Sequence, residues 1–231
     1  MVEKGLIPTD DDSFLPRYVI SEQGDDIFYE GLDGERVGKF EWCKLWKRLF
    51  SQKNSIAKEP LAKAIGLKNL KNNQLIWDMS CGTGKDTLLL LKFGGIVQAF
   101  ERNQQIFDML LFHQYLMEDF SDFPSERLNI FLGAPLDLPH MISPQVIYFD
   151  PMYGDSASKK AAPRAQMAMF RDFVGEDVDF LEHLEFALNT ARERVVLKRS
   201  IKSPILSKER FSHSIFGKST RYDIYINHQK I

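Results

Sequence analysis

The chain has 231 residues, a hydrophobic fraction of 44% and a formal net charge of -2, which suits one main domain with an appendage and a sizeable core. No run of about 18 apolar residues occurs, which argues against a membrane-spanning helix, and Cys43 and Cys81 are too few for a disulfide framework or a zinc site, so no metal is expected. The opening MVEKGLIPTDDDS lacks the basic flank and apolar stretch of a secretory signal, so the expectation is a cytoplasmic protein.

Charge is unevenly spread along the chain. Residues 1–35 are rich in acids, whereas 39–71 and 192–221 are dominated by Lys and Arg. Either basic block alone reads as a solvated face. Two of them flanking one core point to a surface that follows phosphates.

In chain order, RYVI (17–20) and DIFYEGL (26–32) read as short strands, with Asp33-Gly34 as a turn. FEWCKLWKRLF (40–50) fits helix or strand, and LAKAIGLK (61–68) is a short helix stopping at Gly66. From residue 75 the pattern is regular. LIWD is a buried strand, CGTG a glycine turn, Asp86–Phe93 a helix stopped by Gly94-Gly95, IVQAFE a strand, and Gln104–Glu118 an amphipathic helix. LNIFL and QVIYF are further strands, followed by helices near Ala161–Phe173 and Val178–Thr190, the strand RVVLK (194–198), and closing strands at Ser214–Lys218 and Arg221–Ile226. This alternation predicts an α/β fold, a doubly wound, mostly parallel, seven-stranded Rossmann-like sheet. The last two strands, with no helix between them, predict a hairpin and an antiparallel strand at one end. The expected division is a small β-rich extension at 1–56 and the main domain at 57–231.

Three strand-end motifs carry chemistry. The first is Asp78-Met79-Ser80-Cys81-Gly82-Thr83-Gly84, between a strand and a helix, where glycines admit a ligand close to the backbone and the helix N-terminus offers N–H groups. A P-loop would need Gly at 79 and Ser or Thr at 86, where Met79 and Asp86 stand; a dinucleotide fingerprint would need Gly at 87, where Thr87 stands. The remaining acid-x-x-x-Gly-x-Gly pattern resembles the first motif of class I methyltransferases. The second is Glu101, ending the next strand, where an acid can accept from both ribose hydroxyls of an adenosine cofactor; its competing role is to cap the following helix. The third is Asp150-Pro151-Met152-Tyr153, at the end of the fourth strand of the regular region and facing the same crevice. It resembles the Asp/Asn-Pro-Pro-Tyr motif of enzymes that methylate exocyclic amines of nucleic-acid bases. An acceptor aimed at the amine N–H localises its lone pair, proline fixes the turn, and a tyrosine face lets a base stack.

With these motifs in place, residues 57–226 resemble the RsmJ family, the 16S ribosomal RNA guanine-N2 methyltransferases of bacteria. The resemblance is carried by Gly82-Thr83-Gly84-Lys85-Asp86, Glu101-Arg102-Asn103, Asp150-Pro151-Met152-Tyr153, Phe173-Val174-Gly175, Val195–Arg199 and Arg221–Tyr225, with LAKAIGLK as the lead-in helix. It implies S-adenosylmethionine as cofactor and 16S ribosomal RNA or the small subunit as partner. It also implies a cofactor site lined by Lys85, Asp86, Glu101, Arg102 and Asp150, beside Asp78, Gly82 and Gly84. Ala134 and Pro135 stand where the family has two serines near the adenine, and Gly154-Asp155 where it continues Pro-His. Lys198 and Arg199, beyond a strand's carboxyl end, are expected to hold the RNA backbone. Two other functions fit the motifs less well: a methyltransferase for another exocyclic amine such as adenine-N6, and a non-catalytic RNA-binding protein that keeps the fold.

Overall fold

The computed structural model describes residues 4–5, 17–20, 27–30, 36–40, 42–51, 58–66, 74–138, 141–151 and 179–227. Its first strands, β1 (Lys4–Gly5), β2 (Arg17–Ile20), β3 (Ile27–Glu30) and β4 (Arg36–Phe40), form an antiparallel meander in chain order. The Asp33-Gly34 turn lies outside the described residues.

Helix α1 (Trp42–Ser51) resolves the choice left open by the pattern FEWCKLWKRLF. Trp42, Trp46 and Leu49 are buried at helical spacing, while Lys44, Lys47 and Arg48 are exposed. The helix packs against α3 (Lys85–Lys92) and α4 (Gln104–Met117), so two tryptophans from residues 1–56 enter the main core. Burying a side chain of this size stabilises the fold by about 2–3 kcal/mol. Helix α2 (Pro60–Ile65) ends on Gly66 in the left-handed conformation, as its sequence predicts, and begins one residue earlier than expected, with a proline suited to a first helical turn.

The main sheet contains β5 (Leu75–Asp78), β6 (Ile96–Glu101), β7 (Leu128–Leu132), β8 (Val146–Phe149), β9 (Arg194–Ser200), β10 (His213–Phe216) and β11 (Thr220–Ile226), in the order β10-β11-β9-β8-β5-β6-β7. Strands β5 to β9 pair in parallel, and β11 runs antiparallel to both β9 and β10. The hairpin therefore folds back so that its second strand, not its first, joins the sheet. Burial explains this: β11 buries five consecutive residues between two neighbours, whereas none of β10 is fully buried.

Alternate residues feed two cores. Ile76, Tyr148 and Val196 face α1 to α4, while Trp77, Ile147, Phe149, Val195 and Leu197 face α5 (Phe180–Thr190). The helix expected near 161–173 lies outside the described residues, and among the described helices none is long and apolar enough to cross a membrane. The chain runs outward from β5 through β6 to β7, then returns to β8 on the other side of β5. That reversal opens a crevice beyond the carboxyl ends of β5 and β8.

Candidate functional site

The glycine turn is built from β5 outward. The Met79 N–H donates to the Tyr148 carbonyl and the Cys81 N–H to the Phe100 carbonyl, both at 2.9 Å, which holds the turn above the sheet. Asp78 is sealed beneath it at 1% exposure, accepting from the Thr87 hydroxyl at 2.6 Å and the Ser80 N–H at 3.3 Å. Burial pushes its carboxyl up to about 7. Asp78 thus shapes the turn from below rather than lining its open side.

The two glycines do different work. Gly82, at φ +52°, has open space where a Cβ would stand, the nearest atom being the Ser80 carbonyl oxygen at 3.9 Å. Gly84, at φ +72°, has the Trp42 indole there, with Cζ2 at 2.3 Å. The same indole donates its N–H to the Thr83 carbonyl at 2.8 Å. The space beside the Gly84 Cα is therefore filled by a tryptophan.

Glu101 joins the turn to the next helix. Its Oε2 accepts from the Gly82 N–H at 3.0 Å and its Oε1 from the Asn103 N–H at 2.8 Å. Burial raises its pKa, against the backbone N–H groups that favour the charged form. The cap of α4 is Asn103, whose side chain accepts from the Ile106 N–H at 3.1 Å. Beside Glu101, β7 is followed by Gly133, whose N–H donates to the Glu101 carbonyl at 2.8 Å, and then by the buried Ala134 and Pro135. Arg102 pairs with Asp179 at 2.8 Å, and Asp179 also meets His183 at 2.9 Å. Lys85 is exposed at the start of α3.

At the end of β8, the Asp150 N–H donates to Ser80 Oγ at 2.7 Å, tying this strand end to the glycine turn. Lys198 Nζ then bridges two carboxylates, Asp150 Oδ2 at 2.8 Å and Asp86 Oδ2 at 2.9 Å. Tyr148 donates its hydroxyl to the same Asp86 oxygen. Burial pushes the Asp150 carboxyl above its ordinary value, with Lys198 opposing and Asp86 reinforcing the shift. Burial also works against the Lys198 charge, but the two carboxylates outweigh it and hold the ammonium well above its usual range.

This geometry corrects the expected role of Lys198 and Arg199 as phosphate contacts. Lys198 is committed to two carboxylates, and Arg199 is buried at 5% exposure over the Phe180 ring, 5.6 Å from its centroid. Pro151 is buried after Asp150; Met152 and Tyr153 lie outside the described residues, as does Phe173-Val174-Gly175. Gly82, Asp86, Glu101 and Asp150 are thus brought to one strand-end crevice, with Asp78 sealed beneath it. Trp42 and Tyr148 belong to it although no motif flagged them, while Ser80 and Lys198, which lie within quoted motifs, take roles there that those motifs did not suggest. Register could have found Lys198, since Phe149 pairs with Leu197 and the next residues of the two parallel strands are Asp150 and Lys198.

Comparison with known proteins follows the same lines. A family model described as "Putative SAM-dependent methyltransferase" matches residues 41–227. The chain is 35% identical over 178 residues to the ribosomal RNA small subunit methyltransferase J of Thioalkalivibrio sulfidiphilus, covering 74% of this chain and 69% of the relative. It is 31% identical over 234 residues to the protein of that name from Psychromonas ingrahamii, covering 96% and 87%. A SAM-dependent methyltransferase of Neisseria gonorrhoeae shares the fold with TM-score 0.66 at 24% identity, over 90% of this chain and 81% of that one.

Proposed function

The chain belongs to this S-adenosylmethionine-dependent methyltransferase family, and from that premise we propose that it methylates the exocyclic N2 amine of a guanosine in 16S ribosomal RNA. The observation that carries the reading is the Ser80–Asp150 hydrogen bond, which holds the glycine turn and the strand end of the amine-methylation motif in one crevice.

The residues present fit the cofactor. Gly82 offers an open backbone face, and Glu101, after accepting two backbone N–H groups, keeps lone pairs for ribose hydroxyls. Ala134 and Pro135 supply buried apolar contact in place of hydroxyls, and Asp86 and Asp150 suit a cationic group. Lys85 and Arg102 flank the site. When bound, S-adenosylmethionine supplies a methyl group activated by a sulfonium.

The chain's own residues then hold the acceptor amine. Asp150 accepts from the amine N–H, localising the nitrogen lone pair, and Pro151 fixes the turn that carries Met152 and Tyr153. Tyr153 stacks on the base. Positioning and electrostatics do this work, and no strong base is required, because the amine sheds its proton readily once methylated. The extension at 1–56, ahead of the catalytic unit at 57–231, contributes RNA contacts, and the protein works in the cytoplasm, where ribosomes are made.

The test is tritiated methyl transfer to 16S RNA and to small subunits, followed by nucleoside analysis. Label in N2-methylguanosine supports the reading. Label in N6-methyladenosine would move it to another amine.

A further inference from the structure

Lys198 lies where three elements converge, and its surroundings define its task. It stands on β9 opposite Asp150 of the β8 end, and its ammonium reaches Asp86 on α3 as well. Tyr148 of β8, Asp78 of β5 and Tyr222 of β11 face the same carboxylates, and none of them can supply a positive charge. The Asp86, Asp150 and Lys198 side chains keep 28%, 31% and 22% of their surface, so water screens them only in part. Two carboxylates held this close without a cation would repel, and one would take up a proton. A protonated Asp150 would present an O–H donor to the amine where an acceptor is needed.

We propose that Lys198 is a positioning residue for methyl transfer, holding Asp86 and Asp150 ionised and fixed so that Asp150 accepts from the target amine. The proposal rests on the reading that Asp150 meets that amine. One ammonium contacts both carboxylates, and it leaves the cluster one negative charge in excess, which suits the cationic cofactor.

The experiment compares the wild type with Lys198→Gln, Lys198→Arg and the double variant Lys198→Gln/Asp86→Asn. Cofactor affinity is measured by calorimetry without RNA from pH 5.5 to 8.5, and kcat and KM for RNA over the same range. In Lys198→Gln the acid limb of both affinity and kcat moves up by about one pH unit or more, giving about tenfold loss per unit below it. KM for RNA stays within about twofold, since no phosphate contact is lost. Lys198→Arg restores the wild-type limb, and removing the second carboxylate in the double variant brings the limb back down. An unmoved limb in Lys198→Gln, or a rise in KM for RNA at unchanged kcat, overturns the proposal. If Lys198→Gln does not fold, Asp86→Asn alone decides, because relief of repulsion must then lower the limb and an unchanged one contradicts the proposal. A wild type that transfers no methyl to any base amine refutes the reading of Asp150, while the affinity profile still tests Lys198.

Discussion

The Trp42 indole occupies the place where a Cβ on Gly84 would stand, 2.3 Å from its Cζ2 atom, and donates its N–H to the neighbouring Thr83 carbonyl. A helix preceding the catalytic strands thereby sets the shape of the cofactor turn. Gly84→Ala should then destabilise the fold itself, through the clash and a left-handed backbone, before any ligand is considered. Thermal unfolding without cofactor checks this, and an unchanged Tm would return Gly84 to a role in the ligand space.

Trp42→Phe keeps most of the packing and removes the indole donor, leaving the Thr83 carbonyl to shift. Stability should fall by about 1 kcal/mol. Trp42→Ala should cost about 3–5 kcal/mol. Denaturant titration separates the two, and a Trp42→Phe variant as stable as the wild type would mean that the hydrogen bond contributes nothing to the turn.

Glu101 ties Gly82 to the start of α4 while facing the crevice, so Glu101→Ala should weaken S-adenosylmethionine binding by about 1–3 kcal/mol. Calorimetry gives the number. A loss of stability with affinity intact would show that Glu101 serves only the turn.

Asp78 gives a pH signature. Its carboxyl titrates near 7 in the folded protein against an ordinary 3.8, so the folded state binds the proton more tightly than the unfolded one. Its contribution is therefore most favourable below about pH 4 and is lost as pH rises through about 7. Relative to Asp78→Asn, the wild type should lose stability steadily across that window. A difference that stays constant between pH 4 and 8 would place the Asp78 proton elsewhere.

With Lys198 and Arg199 committed inside the fold, the exposed Lys44, Lys47 and Arg48 face of α1 is the basic surface to test for RNA. Charge reversal there should weaken RNA binding and flatten its salt dependence while leaving cofactor affinity within about twofold. Unaltered RNA affinity across a salt titration would make this a solvated helix face.

What the sequence made legible was local. Periodicity and glycine stops located β5 to β9, α3 and α4 almost to the residue, because each buried strand reads as an apolar run and each helix ends on a glycine or begins on a cap. Motif chemistry brought Gly82, Glu101 and Asp150 to one crevice because strand ends in a doubly wound sheet face it. What it missed was tertiary. Nothing in FEWCKLWKRLF tells a reader that Trp42 fills the hollow above Gly84. Lys198 looks like a surface cation until the β8–β9 register sets it beside Asp150. The order of the closing hairpin was equally hidden, since adjacency in sequence does not say which strand reaches β9.

The most direct test of the central claim is mass spectrometry of 16S RNA nucleosides from cells lacking this protein, complemented with the wild type or with Asp150→Ala. The account predicts that N2-methylguanosine falls by one site when the gene is absent, returns with the wild type, and does not return with Asp150→Ala at equal protein abundance. An unchanged N2-methylguanosine level in the absence of the protein, or full restoration by Asp150→Ala, would contradict it.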